Sequence, residues 1–165
     1  MKRILRFFVL IIIFQSINIS AQSLKDSLQT ERQLTVLTGI NFWKNSLFVE
    51  VGLAKYKNST NGHHPLSSAY FVSTEVNLLT GKNFIIGPKI GGWVSGGVGA
   101  MALGANFIYF TDFKNSNLYF RPEIGFGLMR VKVIYGYNVR ITNNLLDGIP
   151  KSNIGIVYLL PTKKK

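Results

Sequence analysis

The chain has 165 residues, no cysteine, 16 glycines and a formal net charge of +12. Without cysteine there is no disulfide, thiol nucleophile, cysteine metal site or lipid-modified cysteine. The positive charge is scattered over turns (Lys44, Lys57, Lys82, Lys114, Lys151) and Lys163–Lys165, while the aromatic residues fall on the face opposite most strand charges. A nucleic-acid surface needs clustered cations with stacking rings on one face, so nucleic acid is excluded as a partner.

Lys2, Arg3 and Arg6 precede the apolar run Phe7 to Phe14, which is too short to span a membrane as a helix. Gln15-Ser16 and the small-residue exit Ser20-Ala21-Gln22 follow, so residues 1–21 are expected to be a secretory signal peptide cleaved after Ala21. Polar residues 22–32 form an expected periplasmic lead-in, residues 33–160 a single β domain, and residues 161–165 a basic tail.

Eight segments of alternating polarity follow. The first, Gln33 to Phe42, sets Leu34, Val36, Ile40 and Phe42 against Gln33, Thr35, Gly39 and Asn41, and Lys44-Asn45 makes a tight turn. The second, Leu47 to Tyr56, sets Leu47, Val49, Val51 and Leu53 against Glu50, Gly52 and Ala54, before a polar loop from Lys57 to Leu66. In the third, Ser68 to Leu78, Tyr70, Val72, Val76 and Leu78 oppose Ser73, Glu75 and Asn77. In the fourth, Phe84 to Ser95, Phe84, Ile86, Pro88 and Ile90 oppose Gly87, Lys89 and Gly91, with a bulge expected at Gly91-Gly92 that turns Trp93 to the apolar side. The fifth, Ala100 to Phe110, sets Met101, Leu103, Phe107 and Tyr109 against Ala102, Gly104 and Asn106.

The clearest pattern runs from Asn117 to Ile141. Leu118, Phe120, Pro122, Ile124, Phe126 and Leu128 alternate with Asn117, Tyr119, Arg121, Glu123, Gly125 and Gly127; after Met129-Arg130 the alternation resumes through Val131, Val133, Tyr135, Tyr137, Val139 and Ile141. A period of two over this length is a β-hairpin, because successive strand side chains point to opposite faces. A two-residue turn at Met129-Arg130 opposes Leu128 to Val131 and Tyr119 to Arg140, which keeps the apolar residues on one shared face. Each arm is about 11 residues, the length a tilted strand needs to cross the hydrocarbon core of a bilayer. A loop from Thr142 to Ser152 leads to the eighth segment, Asn153 to Leu160, with Ile154, Ile156, Tyr158 and Leu160 on one face.

Two further features fix expectations. Pro88-Lys89-Ile90-Gly91 recurs as Pro122-Glu123-Ile124-Gly125, and since proline removes a ladder donor a local bulge is expected at each. With Gly81-Lys82-Asn83 as the link, Leu78 opposes Ile86 and Glu75 lies directly across from Lys89, with Glu123 at similar depth.

Eight evenly spaced strands joined mostly by short turns imply an all-β, antiparallel up-and-down barrel. A soluble barrel, lipocalin-like and secreted, would put the apolar face inside; here that face is broad and aromatic-rich, whereas the other carries small residues that fit a narrow lumen. The expected arrangement is therefore a transmembrane β-barrel, lipid outside and polar lumen inside. On strand count, dyad repeat, paired lumen charges and the two P-[KE]-I-G runs, the segment from Gln33 to Leu160 resembles the small eight-stranded bacterial outer-membrane barrels of the OmpA/OmpX type. The resemblance implies an outer-membrane location in the Gram-negative cell envelope, contact with outer-membrane lipid and lipopolysaccharide, handling by the barrel-insertion machinery, and a monomer. Such barrels usually end on an aromatic residue, where this sequence has Leu160 followed by Pro161.

The lumen is expected to hold a charge network of Glu50, Glu75, Lys89, Arg121, Glu123, Lys132 and Arg140, mutually paired because unpaired buried charges cost several kcal/mol. That network favours a filled lumen over a conducting pore. Aromatic rims are expected at the strand ends: Phe42, Trp43, Tyr70, Trp93, Tyr109, Phe110 and Tyr158. The only histidines, His63 and His64, lie in a polar loop. A lipid-modifying hydrolase would use one as base with Ser67 or Ser68 and an inward Glu75, but no serine sits in a nucleophile-elbow context. The expectation is no catalytic site, no cofactor and no metal, since a metal would need a third ligand beside the histidines. A structural or surface-interaction role follows.

Overall fold

The computed structural model describes residues 29–43, 46–60, 66–78, 84–97, 100–142, 146 and 148–162. The proposed signal peptide, His63, His64 and Lys163–Lys165 lie outside the described residues.

Nine strand segments follow one another: β1 Gln29–Trp43, β2 Ser46–Thr60, β3 Leu66–Asn77, β4 Ile86–Gly96, β5 Met101–Thr111, β6 Ser116–Leu128, β7 Val131–Tyr137, β8 Val139–Arg140 and β9 Ser152–Pro161. Each pairs antiparallel with its neighbours; β1 pairs with β9, and β5 with β6. Both β7 and β8 pair with β6, so they are two parts of one strand broken at Asn138. The result is an eight-stranded antiparallel closed barrel. The end carrying Gln29 and Pro161 is called lower here, and the end carrying Trp43, Asn77 and Ser152 upper.

The hairpin from Asn117 to Ile141 has the register its alternation demands: Leu128 faces Val131, Glu123 faces Gly136 and Tyr119 faces Arg140. Its turn is tight because Met129 adopts the left-handed conformation, with φ of 52°. The first hairpin is longer than its hydrophobic pattern implies. Gln29 pairs with Thr60, so residues 29–32 and 57–60 belong to paired strand rather than to a lead-in and a loop. Those residues are polar, so the twofold apolar alternation that marks a strand is absent although the ladder continues.

Three expectations about the ladder are corrected. Neither proline produces a bulge. The β4–β5 register is the same on both sides of Pro88, with Ile86 facing Thr111 and Lys89 facing Ile108; only the rungs between are missing. The β6 register is likewise continuous from Glu123–Gly136 to Phe120–Val139, and the rungs at Arg121 and Pro122 drop out. Proline removes one donor, and the sheet omits the bond without inserting a residue. There is no bulge at Gly91-Gly92 either, where Phe71 faces Gly91 and Tyr70 faces Gly92 in unbroken sequence; the Tyr70 ring lies over Gly92. Finally, Glu75 is opposite Gly87, and Lys89 is opposite Ser73, two residues from the expected register. A shift of two keeps every side chain on its face, so face alternation alone does not exclude it.

The interior is layered. A lower apolar cluster joins Leu37, Ala54, Tyr56, Phe71, Trp93 and Leu159, and an upper one joins Phe48, Ile85, Ile108, Phe110, Tyr119 and Leu146. Segments that feed both clusters carry a charged residue between them: Phe48, Glu50, Ala54 along β2, and Ile85, just before β4, then Lys89 and Trp93 within it. Leu146 is buried although it belongs to the β8–β9 connection, and Asn117 Nδ2 donates to its carbonyl at 3.3 Å. That connection therefore covers part of the upper mouth, with Ile149 packed against the same cluster.

Candidate functional site

The chemistry of the barrel is concentrated in the layer between the two apolar clusters. Glu50, Glu75, Lys89, Arg121, Glu123 and Lys132 reach it from β2, β3, β4, β6 and β7, and all six are buried. Three carboxylates meet three cations, so the layer is neutral as a whole.

Glu75 is its centre. Its Oε1 accepts from Lys89 Nζ at 2.8 Å and from Arg121 Nη1 at 2.6 Å, while Oε2 accepts from Arg121 Nη2 at 3.1 Å. The Arg121 fork is thus bidentate, the strongest geometry available to a carboxylate. Lys89 also donates to Glu50 Oε2 at 2.8 Å, and Ser73 Oγ donates to Glu50 Oε1 at 2.6 Å. Asn41 Nδ2 bridges both acids at 3.3 and 3.2 Å and is itself held by Asn153 Nδ2, which donates to its side-chain oxygen at 3.0 Å. Arg121 Nε donates to Asn138 Oδ1 at 2.7 Å, and Asn138 Nδ2 donates to the Pro150 carbonyl at 2.7 Å, tying the layer to the upper loop. Glu123 forms a separate pair with Lys132 at 3.0 Å rather than joining Lys89 directly.

Aromatic rings close the layer from both sides. Lys89 Nζ lies 5.3 Å from the centre of Phe71 and Lys132 Nζ 5.2 Å from Trp93, both rings of the lower cluster; Arg121 Cζ lies 5.9 Å from Phe110 in the upper one. Each of these cations thus has at least one carboxylate partner and a ring face beside it, an ion pair supplemented by a cation–π contact. On the β4–β6 wall the hydrogen bonding is incomplete: Glu123 Oε1, Trp93 Nε1 and both amide atoms of Asn106 are buried without a partner among the described residues.

Six of the seven residues expected in the charge network come together, and Arg140 does not. It is exposed at the upper mouth, where its Nε donates to Tyr119 Oη at 3.2 Å and its guanidinium lies over the Tyr119 ring. The cross-strand partner is as expected, but residue 140 lies at the end of its strand, at the upper rim of the apolar cluster that includes Tyr119. The expected aromatic rim divides in the same way. Phe42, Tyr70, Tyr109 and Tyr158 point outward and are exposed. Trp93 and Phe110 are corrections: both are buried in the interior, Trp93 because no bulge reverses its side, and Phe110 because it shares the side of Asn106 and Ile108. The Trp43 side chain lies outside the described residues.

The neutral members Asn41, Ser73, Asn138 and Asn153 were not anticipated in the network. Their alternation puts them on the inner face, but an uncharged side chain creates no demand for a partner that a sequence pattern displays. For the hydrolase arrangement, Ser67 is buried with its Oγ 2.8 Å from that of Ser95, at the lower end of β3. Glu75 lies eight residues further along the same strand, roughly 25 Å away at the usual strand rise, and is fully occupied by Arg121 and Lys89. Among the described residues no group of three His, Cys, Asp or Glu is placed to hold a metal ion. No protein-family model, curated protein or solved structure matches the chain.

Proposed function

We propose that this protein is an integral β-barrel of the bacterial outer membrane, of the OmpA/OmpX type, with a structural or surface-interaction role and no conducting pore. The observation that carries the proposal is the inversion of the two faces. Large apolar side chains are exposed on the outside of every full strand, among them Leu34, Val51, Val72, Ile90, Leu103, Ile124, Val133 and Ile156, while Glu50, Glu75, Lys89, Arg121, Glu123 and Lys132 are buried inside. Soluble monomers rarely expose contiguous apolar patches beyond a few hundred Å². Lipid hydrocarbon is the solvent that suits such a surface, and closure leaves no unpaired sheet edge within it. Two apolar clusters on either side of a neutral charged layer support the reading of a barrel that does not conduct. Outer-membrane lipid, lipopolysaccharide and the insertion machinery are the partners this role entails, and no catalytic step is part of it.

Cell fractionation together with a heat-modifiability gel tests the proposal. The expected result is a membrane-bound protein, extracted only by detergent, whose unboiled form migrates differently from the boiled form. A protein that stays in solution without detergent overturns it. Ion currents through the purified barrel in a planar bilayer would overturn the closed interior while leaving the location intact.

A further inference from the structure

We propose that the outer surface of the β1–β2 hairpin, at the lower end of the barrel, binds the phosphate of an anionic lipid headgroup through Arg32, Lys55 and Lys57. The inference rests on the membrane reading above and assigns it a defined lipid contact.

Arg32 and Lys57 are directly opposed in the β1–β2 register, and both are exposed. Lys55 is the next outward residue of β2, opposite Leu34 on one side and Tyr70 on the other. Three cations therefore share one face of a two-stranded ribbon. Like charges opposed across a strand pair are destabilising unless something neutralises them. Among the residues whose side chains are described, no ion pair engages these three cations: Glu50, Glu75 and Glu123 lie inside the barrel, and Asp112 is at the opposite end. An anion placed between them would turn a repulsion into two or three charge-assisted contacts, the arginine fork matching phosphate oxygens and the lysines acting as point charges.

The position selects a lipid as the source of that phosphate. Immediately above the cations on the same face begin the exposed apolar residues Leu34, Leu53 and Val51, with Val72 beside them. A phosphate held at Arg32 and Lys57 would set its acyl chains along this row, and the long aliphatic stems of Lys55 and Lys57 suit the boundary. Free inorganic phosphate would satisfy the charges but leave the row unused.

The test is native mass spectrometry of the full barrel released from mixed micelles containing phosphatidylglycerol and phosphatidylcholine. The expected result is selective retention of phosphatidylglycerol. Retention should fall roughly tenfold or more in the triple variant Arg32→Gln, Lys55→Gln, Lys57→Gln, and should persist in a variant with Lys114→Gln and Lys151→Gln at the other end. A heat-modifiability gel confirms that each variant is folded; if the triple variant is not, Lys55→Gln alone and the wild-type preference between the two lipids still decide. Equal retention of the two lipids by the wild-type protein, or unchanged retention in the folded triple variant, overturns the site while leaving the barrel in the membrane. Displacement of the lipid by inorganic phosphate overturns its assignment to a lipid. A protein that remains soluble and takes up neither lipid overturns the membrane reading itself, and this site with it.

Discussion

The inner and outer faces of this barrel are built from alternate residues of the same strands, yet they obey opposite rules. Along β4, Pro88, Ile90 and Val94 are exposed, while their sequence neighbours Lys89, Trp93 and Ser95 are buried. Neighbours in sequence, about 3.3 Å apart along the strand, thus lie on opposite sides of the barrel wall. The difference shows that burial here is not a measure of hydrophobicity. Every charge in the inner layer has a counter-charge within 3.0 Å, and each of its cations also has a ring face beside it.

The sharpest way to break this arrangement is to unbalance the inner layer. Among the described residues, Glu75→Ala removes the only carboxylate bound to Arg121 and one of the two bound to Lys89. Two cations then share Glu50 in a site closed by aromatic rings, and the expected loss is about 3–5 kcal/mol in urea unfolding of the refolded barrel. A change below 1 kcal/mol would mean that water reaches the layer.

The outer face is tested by the reverse substitution. Ile90→Arg places a charge in the middle of the exposed apolar belt, between Val72 and Phe107 in the register. In lipid it should cost about 2–4 kcal/mol, whereas on a surface that faces water it should cost almost nothing. The variant therefore separates the two solvents directly, with the same unfolding measurement performed in lipid vesicles.

This two-face rule is what the sequence displays, and depth is what it hides. Alternation placed Glu50, Glu75, Lys89, Arg121, Glu123 and Lys132 on the inner side, and where a two-residue turn left a single register the cross-strand partners followed, as for Leu128 and Val131. Across the longer link between β3 and β4 the same alternation allows registers two residues apart, so Lys89 meets Glu75 diagonally rather than directly. Signals that override alternation were misleading: the glycine pair at Gly91-Gly92 looks like a bulge, and a terminal Phe110 looks like a rim residue, but continuous pairing keeps each residue on its own side. The burial of Leu146 is a tertiary event, set by a loop that folds over the mouth, and no local periodicity announces it.

Narrowness itself is open to test at the inner glycines. A Cβ on Gly125 would overlap the Val133 carbonyl oxygen and lie 2.8 Å from the Ile134 Cα, both backbone atoms of the adjacent strand. On Gly104 the nearest atom would be Glu123 Oε2 at 3.0 Å, the tip of a side chain. Gly125→Ala should therefore cost about 1–3 kcal/mol through forced backbone displacement, and Gly104→Ala less. Equal and negligible effects at both would show an interior with room to spare.

The smallest effect belongs to Arg140, and it measures where the inner layer ends. Arg140 has the same cross-strand relation to Tyr119 that the hairpin register demands, and so it follows the alternation of its buried neighbours Lys132 and Ile134. What differs is solvent: Arg121, one inward position below Tyr119, is buried and bidentate on Glu75, whereas Arg140 is exposed and touches only the phenol and its ring. An exposed cation over an aromatic face contributes about 0.5–1 kcal/mol, and screening by salt reduces its electrostatic share. Arg140→Ala should therefore move the unfolding midpoint slightly, and less at high salt, while Arg121→Ala should move it by an amount comparable to Glu75→Ala, because it leaves two buried carboxylates, Glu50 and Glu75, to share Lys89. If the two arginine variants lose equal stability, the upper cluster of Phe48, Ile108, Phe110 and Tyr119 does not separate the charged layer from the mouth, and both arginines belong to one network.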